Sequence, residues 1–302
     1  EVVAVAHTTQ RSVTLTVRPN AAFAGVRAGQ HVVAGLEIDG RRVTRCYSPA
    51  NAEGAELLEL TVGLHDGGHV STWLREHARP GLVLDLEAGG GEFVLPDPLP
   101  ERIAFVSGGS GITPVIAMLR TLRARGHDGD ITFLHYARSA AEACYRDELA
   151  RSGVRVLHGF TRDTAGSDVG PRFDPALVGD AAVFACGPPA LVDAVREHCE
   201  DVRSESFVPP VFEIPADPSG GTVSFAASGV MTTDDGRSLL EQAEAAGLKP
   251  DSGCRMGICH TCTCRKTSGA VRNLITGAVS TAGEEDVQIC ISAPLGDVAL
   301  AI

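Results

Sequence analysis

Residues 251–264, DSGCRMGICHTCTC, crowd four cysteines into one short stretch, and Cys290 stands alone further on. Cys254, Cys259, Cys262 and Cys290 read C-x4-C-x2-C…C. Thiols spaced in this way either close disulfides or hold metal. The chain has nine cysteines in 302 residues, with Cys46, Cys144, Cys186 and Cys199 scattered through the rest. A disulfide framework is usually small and evenly stapled, whereas one dense cluster in a long chain points to a metal site in a reducing, cytoplasmic compartment. Two ferric ions bridged by sulfide need four thiolates, and this spacing supplies three from a loop and one from afar. Gly253, Gly257 and Thr261 are small enough to let backbone N–H groups approach the sulfurs. A four-cysteine zinc site is the competing metal reading, although such sites usually show two close C-x2–4-C pairs. Cys264, on the outgoing strand, reads as a small buried hydrophobe.

A loop of this kind occupies only the tail of a chain too long for one ordinary core. Short alternating runs at 11–19, 31–39, 41–48, 57–64 and 82–88 predict an antiparallel β-barrel over residues 1–100, with one helical insert at 69–77. From Glu101 the pattern becomes strand, glycine-rich turn, helix, repeated to about residue 206, with helices at 113–126, 140–153 and 189–200. That alternation predicts a Rossmann-like parallel sheet covered by helices. A proline-rich connection follows at 207–220 and reads as a stiff linker of limited reach. Residues 221–302 hold two strands, a helix capped by Ser238 with Glu241 as its capping-box partner, the cysteine loop, and closing strands at VQICIS and DVALAI. The expected fold is therefore multidomain: barrel, α/β sheet and a small third domain.

Net charge at pH 7 is −12, which excludes a nucleic-acid binder. No apolar run has the roughly 20 residues that a membrane span requires. The chain begins at Glu1, not methionine, and a preceding N-terminal segment is expected.

Five motifs, in order, connect the cysteine loop to the rest. RCYS (45–48) ends a barrel strand, GGHVST (67–72) opens the inserted helix, and GGGEF (89–93) follows the last barrel strand. GGSGITP (108–114) joins the first parallel strand to its helix, and CGPPALV (186–192) follows the last. Glycines at a strand–helix turn let the backbone approach phosphates at a helix N-terminus. An aromatic face, a hydroxyl and a planar cation in RCYS suit a flavin ring, its redox nitrogen and a phosphate. The first two domains resemble the ferredoxin–NADP reductase superfamily, and residues 221–302 resemble a plant-type ferredoxin of β-grasp fold.

The resemblance implies that Arg45, Cys46, Tyr47 and Ser48 hold flavin, with Tyr47 stacked on the isoalloxazine and Ser48 at N5. It places the flavin pyrophosphate on Gly68, His69, Val70 and Ser71, favouring FAD over FMN. It places nicotinamide nucleotide on Gly108, Gly109, Gly111, Ile112 and Thr113, and on Gly187 and Pro188, with Cys186 near nicotinamide C4. Gly90 departs from the family's usual proline in the third flavin motif. Arg138, with Arg146 or Arg162 as helper, is placed for a 2′-phosphate, and no acidic residue ends that strand, so NADPH is favoured over NADH. The first three loop thiolates and Cys290 are the implied ligands of a [2Fe–2S] cluster.

The whole chain thus resembles an NAD(P)H-dependent reductase that carries its own ferredoxin and passes single electrons to a redox acceptor protein. GCRMGICHTC with VRNLITG (271–277) looks most like reductases serving membrane di-iron fatty-acyl desaturases. Related reductases feed Rieske oxygenases, steroid hydroxylases, epoxidases and cytochromes P450. An electron-transfer subunit of the dihydroorotate dehydrogenase kind and a redox sensor are the alternatives from other classes. The former has more tightly spaced cysteines, and no effector domain supports the latter. Residues 211–302 carry 6 basic and 11 acidic side chains, yet Arg255, Arg265, Lys266 and Arg272 cluster near the loop. A basic rim that docks an acidic acceptor surface is expected from that pattern.

Overall fold

The computed structural model describes residues 1–302 apart from 88, 210 and 216–219. The chain divides into two compact units, residues 1–42 with 46–208, and 43–45 with 209–302. Part of the expected linker, at 210 and 216–219, lies outside the described residues.

The first unit opens with β1 (Val2–Thr9), β2 (Ser12–Val17), β3 (Val32–Ile38), β4 (Arg41–Tyr47), β5 (Leu58–Gly63), α1 (His69–His77) and β6 (Asp85–Glu87). These strands form two three-stranded sheets, β1-β2-β5 and β4-β3-β6. Val13, Leu15 and Val17 on β2 and Leu58, Leu60 and Val62 on β5 are buried at alternate positions, and Ser12, Thr14 and Thr61 between them are buried as well. Sequence pattern missed β1, whose side chains beyond Val2 are largely exposed, so its hydrophobic alternation is weak. Thr14 on β2 faces Thr61 on β5 through a 2.8 Å hydroxyl pair, which satisfies two polar groups inside the sheet.

The same unit continues with β7 (Arg102–Gly108), α2 (Ile112–Ala124), β8 (Asp130–Ala137), α3 (Arg146–Ala150), β9 (Arg155–Phe160), β10 (Ala182–Cys186), α4 (Pro189–His198) and β11 (Val202–Glu205). All five strands are parallel in the order β11-β10-β7-β8-β9. The order reverses between β7 and β10, and in such sheets ligands bind at that crevice beyond the carboxyl ends of the strands. Phe105 packs against Phe133 and Phe184 at ring separations of 5.7 and 5.9 Å, closing the core beneath.

The helix expected over 140–153 is broken. A single 3-10 turn covers Ala140–Glu142, Tyr145 takes a left-handed backbone at φ 59°, and only Arg146–Ala150 is α-helical. Tertiary contacts override helix propensity here: the Tyr145 hydroxyl bonds Thr61, and its ring lies under Arg120 at 5.1 Å.

The second unit contains β12 (Thr222–Phe225), β13 (Val230–Thr233), α5 (Leu239–Ala245), β14 (Thr263–Asn273), β15 (Val279–Ser280), β16 (Glu285–Gln288) and β17 (Ser292–Leu300). They form one mixed sheet ordered β13-β12-β17-β14-β15, with β16 paired to β14, under α5. Ser238 and Glu241 form the expected capping box. The strand expected over VQICIS stops at Gln288, and Ile289–Ile291 form a 3-10 turn. The Ile289 N–H donates to the Cys262 carbonyl at 3.3 Å, so the turn carries Cys290 alongside Cys262.

Candidate cofactor and electron-transfer sites

In the second unit the loop after α5 brings sulfurs together with backbone donors. The Cys254 N–H donates to Cys259 Sγ at 3.2 Å, and the Met256 and Cys259 N–H groups donate to Cys254 Sγ at 3.3 and 3.4 Å. Cys262 Sγ lies 3.1 Å from Cys290 Sγ. All four thiols are buried, and no disulfide joins any of the nine cysteines among the described residues. Convergent buried thiols met by N–H donors fit a cluster of two irons and two sulfides, because such donors stabilise charge on the sulfurs. Cys264 is half-buried on β14, and its thiol donates to the neighbouring Arg265 carbonyl at 3.7 Å.

The expected basic rim is not a set of free cations. The Arg255 guanidinium donates to Glu244 at 3.0 Å, and Arg265 pairs with Glu284 at 3.1 Å and Asp286 at 3.5 Å. Lys266 is fully buried, donating to the Gly269 carbonyl at 2.6 Å and to Ala282, with Glu285 at 3.0 Å. Only Arg272 is exposed with no ion pair among the described residues. Clustered charges in sequence were matched by carboxylates that the fold brings back from other strands.

RCYS closes β4. Arg45, Cys46 and Tyr47 are half-buried, while Ser48 is 3% exposed and its Oγ has no hydrogen-bond partner among the described residues. A buried hydroxyl left without a partner costs on the order of 1–3 kcal/mol. It therefore fits a bound group that supplies the missing contact, and the polar edge of a flavin ring is such a group. Gly68 caps α1 without a side-chain bond, so the N–H groups of the first turn face outward. A Cβ at Gly68 would come within 2.6 Å of Ser71 Oγ, so the turn keeps its shape only with glycine.

A separate cavity of about 770 Å³ lies over the carboxyl ends of β7, β8 and β10. Gly108, Gly109, Gly111, Gly187 and Pro188 line it as expected. Ile112 and Thr113, in the first turn of α2, are buried and are not among the residues that line it. A Cβ at Gly111 would meet the Cys186 carbonyl at 2.2 Å, which holds the glycine loop against β10. Arg138 and Arg162 line the same cavity, joined by Arg172, which sequence did not single out because it sits in a connection without regular structure. Arg146 instead heads α3. Arg138 is only 3.9 Å from Glu142, a loose pair that leaves its guanidinium available to an anion.

Cys186 is fully buried in the floor behind this cavity. It stands in register with Glu205 on β11 and Ser107 on β7, and the row continues through His135 and His158. Parallel strands covered on both faces are normally aliphatic, so a polar row at the carboxyl ends marks the ligand side of the sheet. Burial pushes the Glu205 carboxyl up to about 7, and its Oε2 has no partner among the described residues. Burial also raises the Cys186 thiol, with Glu205 adding to the effect. His135 accepts or donates through Nδ1 to Ser107 Oγ at 2.9 Å, and burial, then His158, push it down to about 3, so it is neutral. Sequence reading missed Glu205; the signal available was a lone acidic residue ending an otherwise short polar strand beside Phe207.

Comparison with known proteins agrees with this layout. Residues 2–95 match the oxidoreductase FAD-binding domain, 105–197 the oxidoreductase NAD-binding domain, and 226–295 the 2Fe-2S iron-sulfur cluster binding domain. An NADPH oxidoreductase of Mycobacterium tuberculosis is 35% identical over 100% of this chain and 83% of its own length. The stachydrine N-demethylase reductase subunit of Rhizobium meliloti is 30% identical, covering 92% and 88%. Among solved structures, phthalate dioxygenase reductase matches over 100% of this chain and 96% of its own, at TM-score 0.64 and 23% identity. An intact type IV self-sufficient cytochrome P450 monooxygenase matches at TM-score 0.68 and 26% identity, and this chain spans 40% of that one.

Proposed function

Because the chain belongs to the ferredoxin–NADP reductase superfamily, among members with a C-terminal [2Fe–2S] domain, we propose that it carries electrons from NADPH to an oxygenase-class partner protein. The observation that carries this reading is the set of four buried thiols, Cys254, Cys259, Cys262 and Cys290, in one chain with a flavin barrel and a nucleotide sheet. The flavin motifs would hold FAD, and Cys254, Cys259, Cys262 and Cys290 would hold a [2Fe–2S] cluster; together these groups would supply the conversion of electron pairs into single electrons.

The residues divide the work. Ser48 directs its hydroxyl at the flavin edge, Tyr47 offers an aromatic face, and Arg45 with the amides of Gly68–Ser71 holds the pyrophosphate. Gly109, Gly111 and the first turn of α2 hold the nucleotide diphosphate. Cys186 and Glu205 stand at the nicotinamide end, where Glu205, poised near neutrality, can hold or release a proton. Arg138, Arg162 and Arg172 supply cations for a 2′-phosphate, which favours NADPH over NADH. No substrate needs general acid–base attack; the residues bind, orient and exclude water.

The named relatives include reductases of an N-demethylase and a glycine betaine monooxygenase, which supports an oxygenase as acceptor. A di-iron fatty-acyl desaturase is the finer reading, supported by the resemblance of GCRMGICHTC and VRNLITG to reductases of that class. None of the helices is long and apolar enough to cross a membrane among the described residues. A reducing, cytoplasmic setting suits the free-thiol chemistry. Anaerobic titration tests the proposal. About 1.5 NADPH per chain should bleach flavin and cluster together, since the two hold three electrons. Protein that remains oxidised with excess NADPH and NADH would contradict it.

A further inference from the structure

We propose that Arg120 is a positioning residue for the redox reaction: it fastens the segment after Ser48 to the helix that begins at the nucleotide loop, fixing the spacing between flavin edge and nicotinamide. This rests on the reductase reading above. Arg120 lies on α2, whose first turn follows the GGSG loop directly. Its Nε and Nη2 donate to both carboxylate oxygens of Glu148 at 2.7 and 2.6 Å. Its Nη1 donates to the Ala50 carbonyl at 2.8 Å and to Glu59 at 3.0 Å. Ala50 is fully buried and only two residues beyond Ser48. The guanidinium also covers the Tyr145 ring, whose hydroxyl bonds Thr61 on β5.

Four segments therefore converge on one side chain: the post-Ser48 loop, β5, Tyr145 at the head of α3, and α2 itself. A second tie reinforces the first, since the Glu53 N–H donates to Thr121 Oγ1 at 2.9 Å, one residue further along the helix. Burial opposes the charge on Arg120, but Glu148 and Glu59 outweigh it and raise the guanidinium's pKa, so the cation persists at every working pH. Only a planar fork with donors on three nitrogens satisfies a bidentate carboxylate, a second carboxylate and a carbonyl together; a lysine ammonium cannot. Electron and hydrogen transfer between stacked rings is sensitive to spacing, and a misplacement of about 1 Å can cost on the order of 100-fold in rate.

The test uses FAD-loaded holoenzyme carrying Arg120→Lys, with Arg102→Met as a comparator that breaks a surface pair on β7 remote from Ala50. Three quantities are read: dissociation constants for FAD and NADP⁺, the flavin difference spectrum on NADP⁺ binding, and the rate of flavin bleaching at saturating NADPH. Arg120→Lys should keep both dissociation constants within about threefold, diminish the difference spectrum, and slow bleaching about 10- to 100-fold. Arg102→Met should change none of these. An unaltered spectrum and bleaching rate with a lowered melting temperature would reduce Arg120 to a structural tie and overturn the proposal. Should Arg120→Lys fail to fold, Glu59→Gln, which keeps shape and loses one charge, should slow bleaching in the same direction by a smaller factor. No slowing in that variant would equally overturn it. If wild-type holoenzyme itself is not bleached by NADPH, the reductase reading fails and not the placement of Arg120.

Discussion

Replacing Glu205 by glutamine tests the electrostatics of the buried polar row at the carboxyl ends of the parallel strands. Its carboxyl titrates at about 7 in the folded chain against an ordinary 4.5, because burial at the end of β11 disfavours the charged form. Between those values the folded state binds the proton that the unfolded state has already lost. Stability contributed by this group is therefore complete below pH 4.5 and is lost as pH rises through 7. At about 1.4 kcal/mol per pH unit, the loss reaches about 3 kcal/mol above pH 8. Glutamine carries no such charge. Urea unfolding of the two proteins at pH 4, 5, 6, 7 and 8, followed by release of flavin fluorescence, should give curves that coincide near pH 4 and diverge with pH. Glu205→Gln should be the more stable protein by about 3 kcal/mol at pH 8. The same substitution should remove the limb near pH 7 from the pH profile of kcat/KM. Parallel stability curves would show that Glu205 is solvated, and the reasoning about the buried row would fall.

Other substitutions separate binding from folding. Ser48→Ala removes a buried hydroxyl with no partner among the described residues, so stability should be unchanged or higher by about 1 kcal/mol, while flavin bleaching slows. Thermal melting with stopped-flow absorbance checks both. Arg172→Ala combined with Arg138→Ala should raise the KM for NADPH by about 10- to 100-fold and leave NADH nearly unaffected, as steady-state kinetics would show. Lys266→Met strips a cation from two carbonyls and Glu285 inside the sheet, and should lower the stability of the cluster domain by about 3 kcal/mol, measured by loss of cluster absorbance in denaturant.

The cysteine spacing and the capping box were legible in sequence because each is set by local geometry. So was the alternation of strand and helix, since burial on both faces of a parallel sheet imposes it. What escaped depends on chain segments distant in sequence. Glu205 acquires meaning only through its register with Cys186, and VRSE shows no motif. Arg172 reaches the nucleotide cavity from an irregular connection. Tyr145 breaks the helix expected over 140–153 because its hydroxyl and ring are claimed by Thr61 and Arg120. The basic run near the cluster dissolved into ion pairs because Glu244, Glu284, Glu285 and Asp286 return to it from α5 and the start of β16. Sequence shows the sign of a charge but not its partner.

Electron paramagnetic resonance of the anaerobic protein after addition of NADPH alone tests the central claim most directly. Wild type should develop the signal of one reduced [2Fe–2S] cluster per chain, and Cys290→Ser should bleach its flavin while developing none. A wild-type protein whose flavin is reduced while its cluster stays oxidised, or whose four thiols hold zinc, would contradict the account.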